Sequence, residues 1–233
     1  MMTVLKSNER GHFENSWLNS YHTFSFGSYY NPEHIQFGAL RVINQDIIAG
    51  DSGFDFHPHK DMEIFTYVLS GELEHKDNMG NKEKIRPNEV QIMSAGTGVL
   101  HSEYNPSAKE AVELLQIWVV PEKYGIKPRY DQKKFTLEEK KNAFKLVISP
   151  EGTDGSLKIF QKAWVWGSVF TEGFEKKFEV KNGKDIWLHV ANGEIEVNGK
   201  RLAKGDAISF EGQTNFNVKG IGHFSEFVTI ELG

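Results

Sequence analysis

Short apolar or alternating runs recur along the chain, separated by turn residues. They fall at residues 38–43, 64–69, 73–75, 90–93, 112–120, 145–148, 186–190, 195–197 and 227–232. Runs of this length and alternation predict half-buried strands. Breakers at 77–81 and 197–200 lie between successive runs, and the second contains Asn198-Gly199, a strong signal for a two-residue hairpin turn. One helix start stands out. Thr136-Leu-Glu-Glu139 has the spacing of a capping box and predicts a short surface helix between two strand-rich halves. The fold class expected is all-β with little helix.

The two halves echo each other. Gly71-Glu-Leu-Glu-His75 follows an apolar run in the first, and Gly193-Glu-Ile-Glu-Val197 follows one in the second. A turn with an acidic residue then precedes a further run: Pro87-Asn-Glu-Val90 in one half, Lys204-Gly-Asp-Ala207 in the other. Two copies of one β unit are expected. The polar stretch 149–156 follows the helix signal, which places the boundary between 125 and 155. The division expected is a first barrel over 1–130, a linker with the helix over 131–155, and a second barrel over 156–233.

Composition agrees with this division. The 233 residues suffice for two domains of about 110 each. Seventeen Phe supply core, and 22 Gly with 7 Pro supply turns. A net charge of −5 with interleaved signs suggests neither a nucleic acid nor a membrane partner. The absence of cysteine excludes disulfides, thiolate metal sites and cysteine nucleophiles. Residues 1–12 lack the apolar core of a signal peptide, and the run 114–120 is far shorter than the roughly 18 residues of a membrane span. A cytoplasmic protein is expected.

The candidate chemistry is concentrated in the first half, where seven of the nine histidines precede residue 102. In His57-Pro58-His59 the spacing of two puts both imidazoles on one face of an extended strand. Pro58 favours that extended geometry in the residue before it. In Gly96-Thr-Gly98-Val-Leu-His101-Ser-Glu103-Tyr-Asn105 the spacing is again two, so His101 and Glu103 share a face. Two such strands facing each other inside a barrel would offer three imidazoles and one carboxylate to one ion. That set suits one divalent cation per chain, with Fe(II) or Cu(II) favoured and Ni, Mn, Co or Zn also accommodated. It leaves positions open for substrate or dioxygen.

These motifs resemble the cupin superfamily and, more narrowly, the pirin family. His57-Pro-His59-Lys-Asp-Met-Glu63, Gly71-Glu-Leu-Glu-His75-Lys-Asp77 and Ser94-Ala-Gly-Thr-Gly98-Val-Leu-His-Ser-Glu103 carry the resemblance. Asn8-Glu-Arg-Gly-His12, Tyr21-His-Thr-Phe-Ser-Phe26 and Tyr29-Tyr-Asn-Pro32 look like the bacterial members described as quercetin 2,3-dioxygenases. Two departures from the general cupin pattern are Gly96 in place of a common proline and a spacer from Glu63 to Gly71 one residue longer. The resemblance implies a bicupin of two antiparallel jelly-roll barrels. It also implies that the carboxylate ligand is Glu103, where most cupins use the residue at the position of Glu63. Glu63 is then either a partner that orients an imidazole or a core hydrogen-bonding group. His75 either lines the pocket, supporting the ligands, or is a buried structural histidine. His22, inside an aromatic stretch, reads as packing, and Asn105 as holding its own turn. The second barrel offers Glu179, Lys181, Val218 and Gly220 at the ligand positions, so it reads as a scaffold without metal, with His189 and His223 structural.

For function, the resemblance implies a dioxygenase opening the heterocycle of a flavonol such as quercetin, with release of carbon monoxide. Glu103 would serve as base for the 3-hydroxyl. Phe54, Phe56, Met62, Phe65, Met93 and Trp118 are candidate linings for a flat polyphenol. The alternative is a metal- or redox-responsive regulator acting through a protein partner, as eukaryotic pirins resemble. A third reading is a metal-free structural bicupin, which four well-spaced ligands argue against.

Overall fold

The computed structural model describes residues 1–233. Its strands are β1 (Met2–Leu5), β2 (Gly11–Glu14), β3 (Leu18–His22), β4 (Leu40–Ile48), β5 (Ser52–His59), β6 (Glu63–Ser70), β7 (Leu73–Asp77), β8 (Lys82–Ile85), β9 (Glu89–Ser94), β10 (Val99–Asn105), β11 (Val112–Val119) and β12 (Arg129–Lys134). One turn of helix, α1 (Leu137–Lys140), leads to β13 (Lys145–Ser149), β14 (Leu157–Lys158), β15 (Ala163–Phe170), β16 (Glu175–Glu179) and β17 (Asp185–Asn192). The chain ends with β18 (Glu194–Val197), β19 (Lys200–Ala203), β20 (Ala207–Glu211), β21 (Asn215–Gly220) and β22 (Ser225–Leu232). No helix is long and apolar enough to cross a membrane.

The chain forms two compact units, Gly11–Lys134 and Met1–Arg10 with Phe135–Gly233. The division thus differs from the expected 1–130, 131–155 and 156–233. β1 pairs with β20 and Val4 packs on the C-terminal core, so the first residues belong to the second barrel. No free linker separates the barrels in sequence either, because β12 pairs with β9 and β13 with β15.

The expected internal echo is a repeat of topology. Each barrel has a seven-stranded and a four-stranded sheet: β12-β9-β6-β11-β4-β3-β2 with β5-β10-β7-β8 in the first, β1-β20-β17-β22-β15-β13-β14 with β16-β21-β18-β19 in the second. Gly71 and Gly193 mark the same corner of the two copies. Both have left-handed φ, at 75° and 74°. A Cβ at either would lie within 2.6 Å of a backbone oxygen, that of Ala111 or Phe224. Only glycine meets both demands.

Local signals hold where they were strong. Thr136 accepts from the Glu139 amide and closes its capping box. The helix is nevertheless not wholly a surface element, because Lys140 is buried and paired with Glu226 at 2.8 Å. Asn198 and Gly199 both take positive φ, as the tight hairpin turn requires. The interior of the second barrel is filled by aromatic rings. Phe216 stacks between Phe178 and Phe210, at 5.0 and 4.8 Å, and Phe170 meets Phe227 edge-on. Val218 is wholly buried in this cluster, while Glu179, at another of the four expected ligand positions, is exposed. The buried cluster is wholly apolar and offers no ligand atom to an ion.

Candidate metal centre

β10 is the central element of the site. Along it Val99, His101, Glu103 and Asn105 are buried, while Leu100 and Tyr104 are exposed. It lies between β5 and β7 in the four-stranded sheet. The two ligand-bearing strands therefore do not face each other across the barrel, as expected from the sequence. They are hydrogen-bonded neighbours, with His57 directly opposite His101 and His59 opposite Val99. Opposed residues of an antiparallel pair share a face with Cβ atoms about 4.5–5.5 Å apart, which brings the rings together without any crossing of the barrel. A register shift between His101 and Glu103 sets Glu103 against Phe54. Asn105 bonds through its amide to the carbonyls of Ile48 and Glu110, holding its own turn.

The ring centroids of His57, His59 and His101 stand 4.4–4.8 Å apart. One ligand nitrogen from each lies within 4.8 Å of the others. A second group, His75, His101 and Glu103, is equally tight and shares His101. The nitrogens are arranged for lone-pair donation. His57 Nδ1 donates to the Asp55 carbonyl at 2.8 Å, which makes Nε2 the nitrogen available to a cation. His101 Nε2 is buried without a hydrogen-bond partner. Burial, followed by the neighbouring His101 and His57, lowers the His59 pKa to about 4. Burial, then His57 and His75, lowers that of His101 to about 3. Both imidazoles are neutral at pH 7, the form a cation needs. Converging neutral imidazoles around a partnerless buried nitrogen fit a divalent ion.

Glu103 is held from the opposite sheet. Its Oε2 accepts from Gln116 Nε2 at 2.6 Å, and its Oε1 from Gln91 Nε2 at 3.0 Å and Thr66 Oγ1 at 3.3 Å. His75 is fully buried, opposite Glu103 on β7. Its Nδ1 is 3.5 Å from His101 Nδ1, and its Nε2 is 3.0 Å from Asp77 Oδ2. Burial alone would raise the Asp77 pKa, but hydrogen bonds from Asn81 and His75 hold it below the usual range. Glu63 sits on β6, accepts from Ser94 Oγ at 2.9 Å, and lies beside Arg129.

A cavity of about 470 Å³ opens onto His57, His59 and Glu103. Of the expected linings, Phe54 and Trp118 are present, and Trp118 meets His59 edge-on at 4.8 Å. Phe65, Ile64 and Met93 are core, Met62 packs on that core, and Phe56 is exposed. Phe13 and Phe26 complete the aromatic wall. His22 also lines the cavity, as do Ser20, Asn44, Asp46 and Gln116. Apart from His22, read as packing, none of these polar residues stood out in sequence, because each lies alone in an ordinary strand pattern.

Fold and site together define a bicupin of the divalent-metal-binding type. The chain matches the pirin family over residues 4–119, and the quercetinase C-terminal cupin domain over 146–232. It is 46% identical over 209 residues to the quercetin 2,3-dioxygenase of Escherichia coli strain K12, covering 90% of this chain and 89% of that one. Against the putative quercetin 2,3-dioxygenase PM1685 of Pasteurella multocida it is 42% identical over the full length of both. The bacterial pirin YhhW from Escherichia coli, in its crystal structure with nickel(II), superposes with a TM-score of 0.93 at 42% identity, over 100% of this chain and 99% of that one. This chain belongs to the pirin family.

Proposed function

We propose that the chain is a metal-dependent dioxygenase of the pirin type. It opens the heterocycle of a flavonol such as quercetin, taking up both atoms of dioxygen and releasing one ring carbon as carbon monoxide. The observation that carries this reading is the shared cavity. Its walls are mainly apolar and aromatic, its 470 Å³ falls in the range of small-ligand sites, roughly 300–1,000 Å³, and His57, His59 and Glu103 open onto it. The relatives named quercetin 2,3-dioxygenase support the substrate class.

His57, His59, His101 and Glu103 are the ligands in this reading. Fe(II) or Cu(II) suits three imidazoles and a carboxylate with open positions, although the nickel complex of YhhW supports only the broader class of divalent ions. When bound, the cation supplies Lewis-acid polarisation of the substrate's 3-hydroxyl oxygen and access to dioxygen. Glu103 receives the 3-hydroxyl proton on a carboxylate oxygen. Gln91, Gln116 and Thr66 keep that carboxylate aimed, and His75, backed by Asp77, holds His101 in the tautomer that leaves Nε2 free for the ion. Trp118, Phe54 and Phe26 present flat surfaces to a planar ring system and keep water from it. Glu63 acts at one remove, fixing the end of β6 through Ser94.

The test is anaerobic purification, elemental analysis, and oxygen uptake with quercetin, comparing wild type with Glu103→Gln. About one metal per chain is expected, with turnover lost in the variant. Metal bound without any oxygen consumption would overturn the flavonol reading in favour of regulation through a protein partner.

A further inference from the structure

A row of polar side chains runs across the inner face of the seven-stranded sheet of the first barrel, one from each of five adjacent strands. His22 on β3 is opposite Asn44 on β4, Asn44 opposite Gln116 on β11, Gln116 opposite Thr66 on β6, and Thr66 opposite Gln91 on β9. All five are buried. Gln116, Thr66 and Gln91 serve Glu103, as described above. The other end of the row is separate. His22 Nδ1 and Asn44 Oδ1 are 2.9 Å apart, and in the next row Ser20 lies opposite Asp46 and donates its hydroxyl to Asp46 Oδ1.

These four residues line the same cavity as His57, His59 and Glu103. They have no counterpart one row further on, where Leu18, Ile48 and Val112 stand opposite one another and are all apolar. Packing alone would favour continuing that apolar pattern, since buried polar groups are costly unless they are satisfied. A carboxylate, a hydroxyl, an imidazole and an amide grouped on one wall of a cavity that is mainly apolar and aromatic elsewhere therefore point to a ligand that brings its own polar group.

We propose that Ser20, His22, Asn44 and Asp46 form a subsite for a phenolic hydroxyl of the substrate, on a ring other than the one whose oxygen meets the metal ligands. This rests on the flavonol reading given above and adds to it the part of the molecule that is selected. A phenol is a strong donor and a modest acceptor. It donates to the Asp46 carboxylate and accepts from the Asn44 amide Nδ2. A site built to bond a hydroxyl discriminates against analogues that lack it, because the bonds from that hydroxyl to Asp46 and Asn44 are then not made. Flavonols hydroxylated on their outer rings are favoured over the bare 3-hydroxyflavone skeleton.

The metal-loaded protein is titrated under nitrogen with quercetin and with 3-hydroxyflavone, for wild type, Ser20→Ala and Asp46→Asn. Wild type prefers quercetin, and that preference falls about tenfold or more in Asp46→Asn, the weight of one hydrogen bond to a charged group. In Ser20→Ala, which only loosens the carboxylate, it falls by roughly threefold. A preference within twofold of wild type in both variants overturns the subsite, as does a wild type that binds the two flavonols equally. Melting transitions check the fold, and Ser20→Ala, which removes only a hydroxyl, decides alone where Asp46→Asn unfolds. Oxygen uptake by wild type separates this result from the parent reading. Uptake with unchanged preference removes the subsite and keeps the catalysis; a shifted preference without uptake removes the catalysis and keeps the subsite.

Discussion

Replacing Gln116 with leucine tests whether the opposite sheet sets metal affinity through Glu103. Gln116 Nε2 makes the shortest of the three bonds to the carboxylate, at 2.6 Å, and its Oε1 accepts from Thr66 Oγ1 at 2.7 Å. Leucine keeps the bulk and removes both groups. The carboxylate is then one charge-assisted hydrogen bond short, about 1.5–3 kcal/mol. Thr66 loses the nearer of the two acceptors that share its single hydroxyl proton, so that proton goes wholly to Glu103 Oε1 and offsets a little of the loss. The net effect on the proposed ligand set is a roughly 10- to 100-fold weaker metal affinity, the range found when an outer partner of a ligand is removed. Competition for Ni(II) against a chromogenic chelator measures it. A double-mutant cycle with Glu103→Gln makes the test specific, since the cost of losing Gln116 should largely vanish once the carboxylate has gone. An affinity within twofold of wild type, or the same factor in both backgrounds, would refute the argument.

Metal-free protein should lose stability as pH falls from about 6.5 toward 4. An unfolded histidine titrates near 6.5, whereas His59 and His101 titrate at about 4 and 3 when folded. In that window the unfolded chain binds more protons, so stability rises with pH and levels off above it. Chelator-treated wild type and His101→Gln are compared by melting temperature between pH 5 and 7, and equal slopes would count against the shift. His75→Phe keeps an aromatic ring against Tyr130 but removes the link from Asp77 to His101. A loss of metal affinity of about 10-fold or more is expected by chelator competition. In Gly53→Ala the new Cβ would lie 2.3 Å from the Glu103 backbone oxygen, parting β5 from β10 beside their register shift. A destabilisation of about 1–3 kcal/mol is expected in urea denaturation, with metal binding impaired. Phe216→Ala, in the stacked rings of the second barrel, should cost about 3–5 kcal/mol yet leave the metal stoichiometry of the folded protein unchanged.

Much of the site could be read from residue spacing. Side chains alternate along a strand, so His57 and His59 had to share a face, and so did His101 and Glu103, wherever those strands lay. The Thr136–Glu139 box and the Asn198-Gly199 turn are equally local, fixed by hydrogen bonds and φ angles within four residues. The repeat was visible because the glycine that leads β7 and β18 meets the same steric demand twice.

Pairing register and strand order are set by contacts between distant segments, and these the sequence left open. β5 and β10 are neighbours, not opposing walls, because the four-stranded sheet places them edge to edge. β1 completes the second barrel because the edge of β20 and the packing of Val4 satisfy it there, although its sequence position suggested the first. The polar row from His22 to Gln91 belongs to five strands spread between positions 22 and 116 of the sequence, each contributing one residue that looks unremarkable in its own strand. Local alternation determined which side chains point inward. Only the register of the assembled sheets decided which of them meet, and therefore that Glu103 is held at one end of that row while a hydroxyl-binding patch forms at the other.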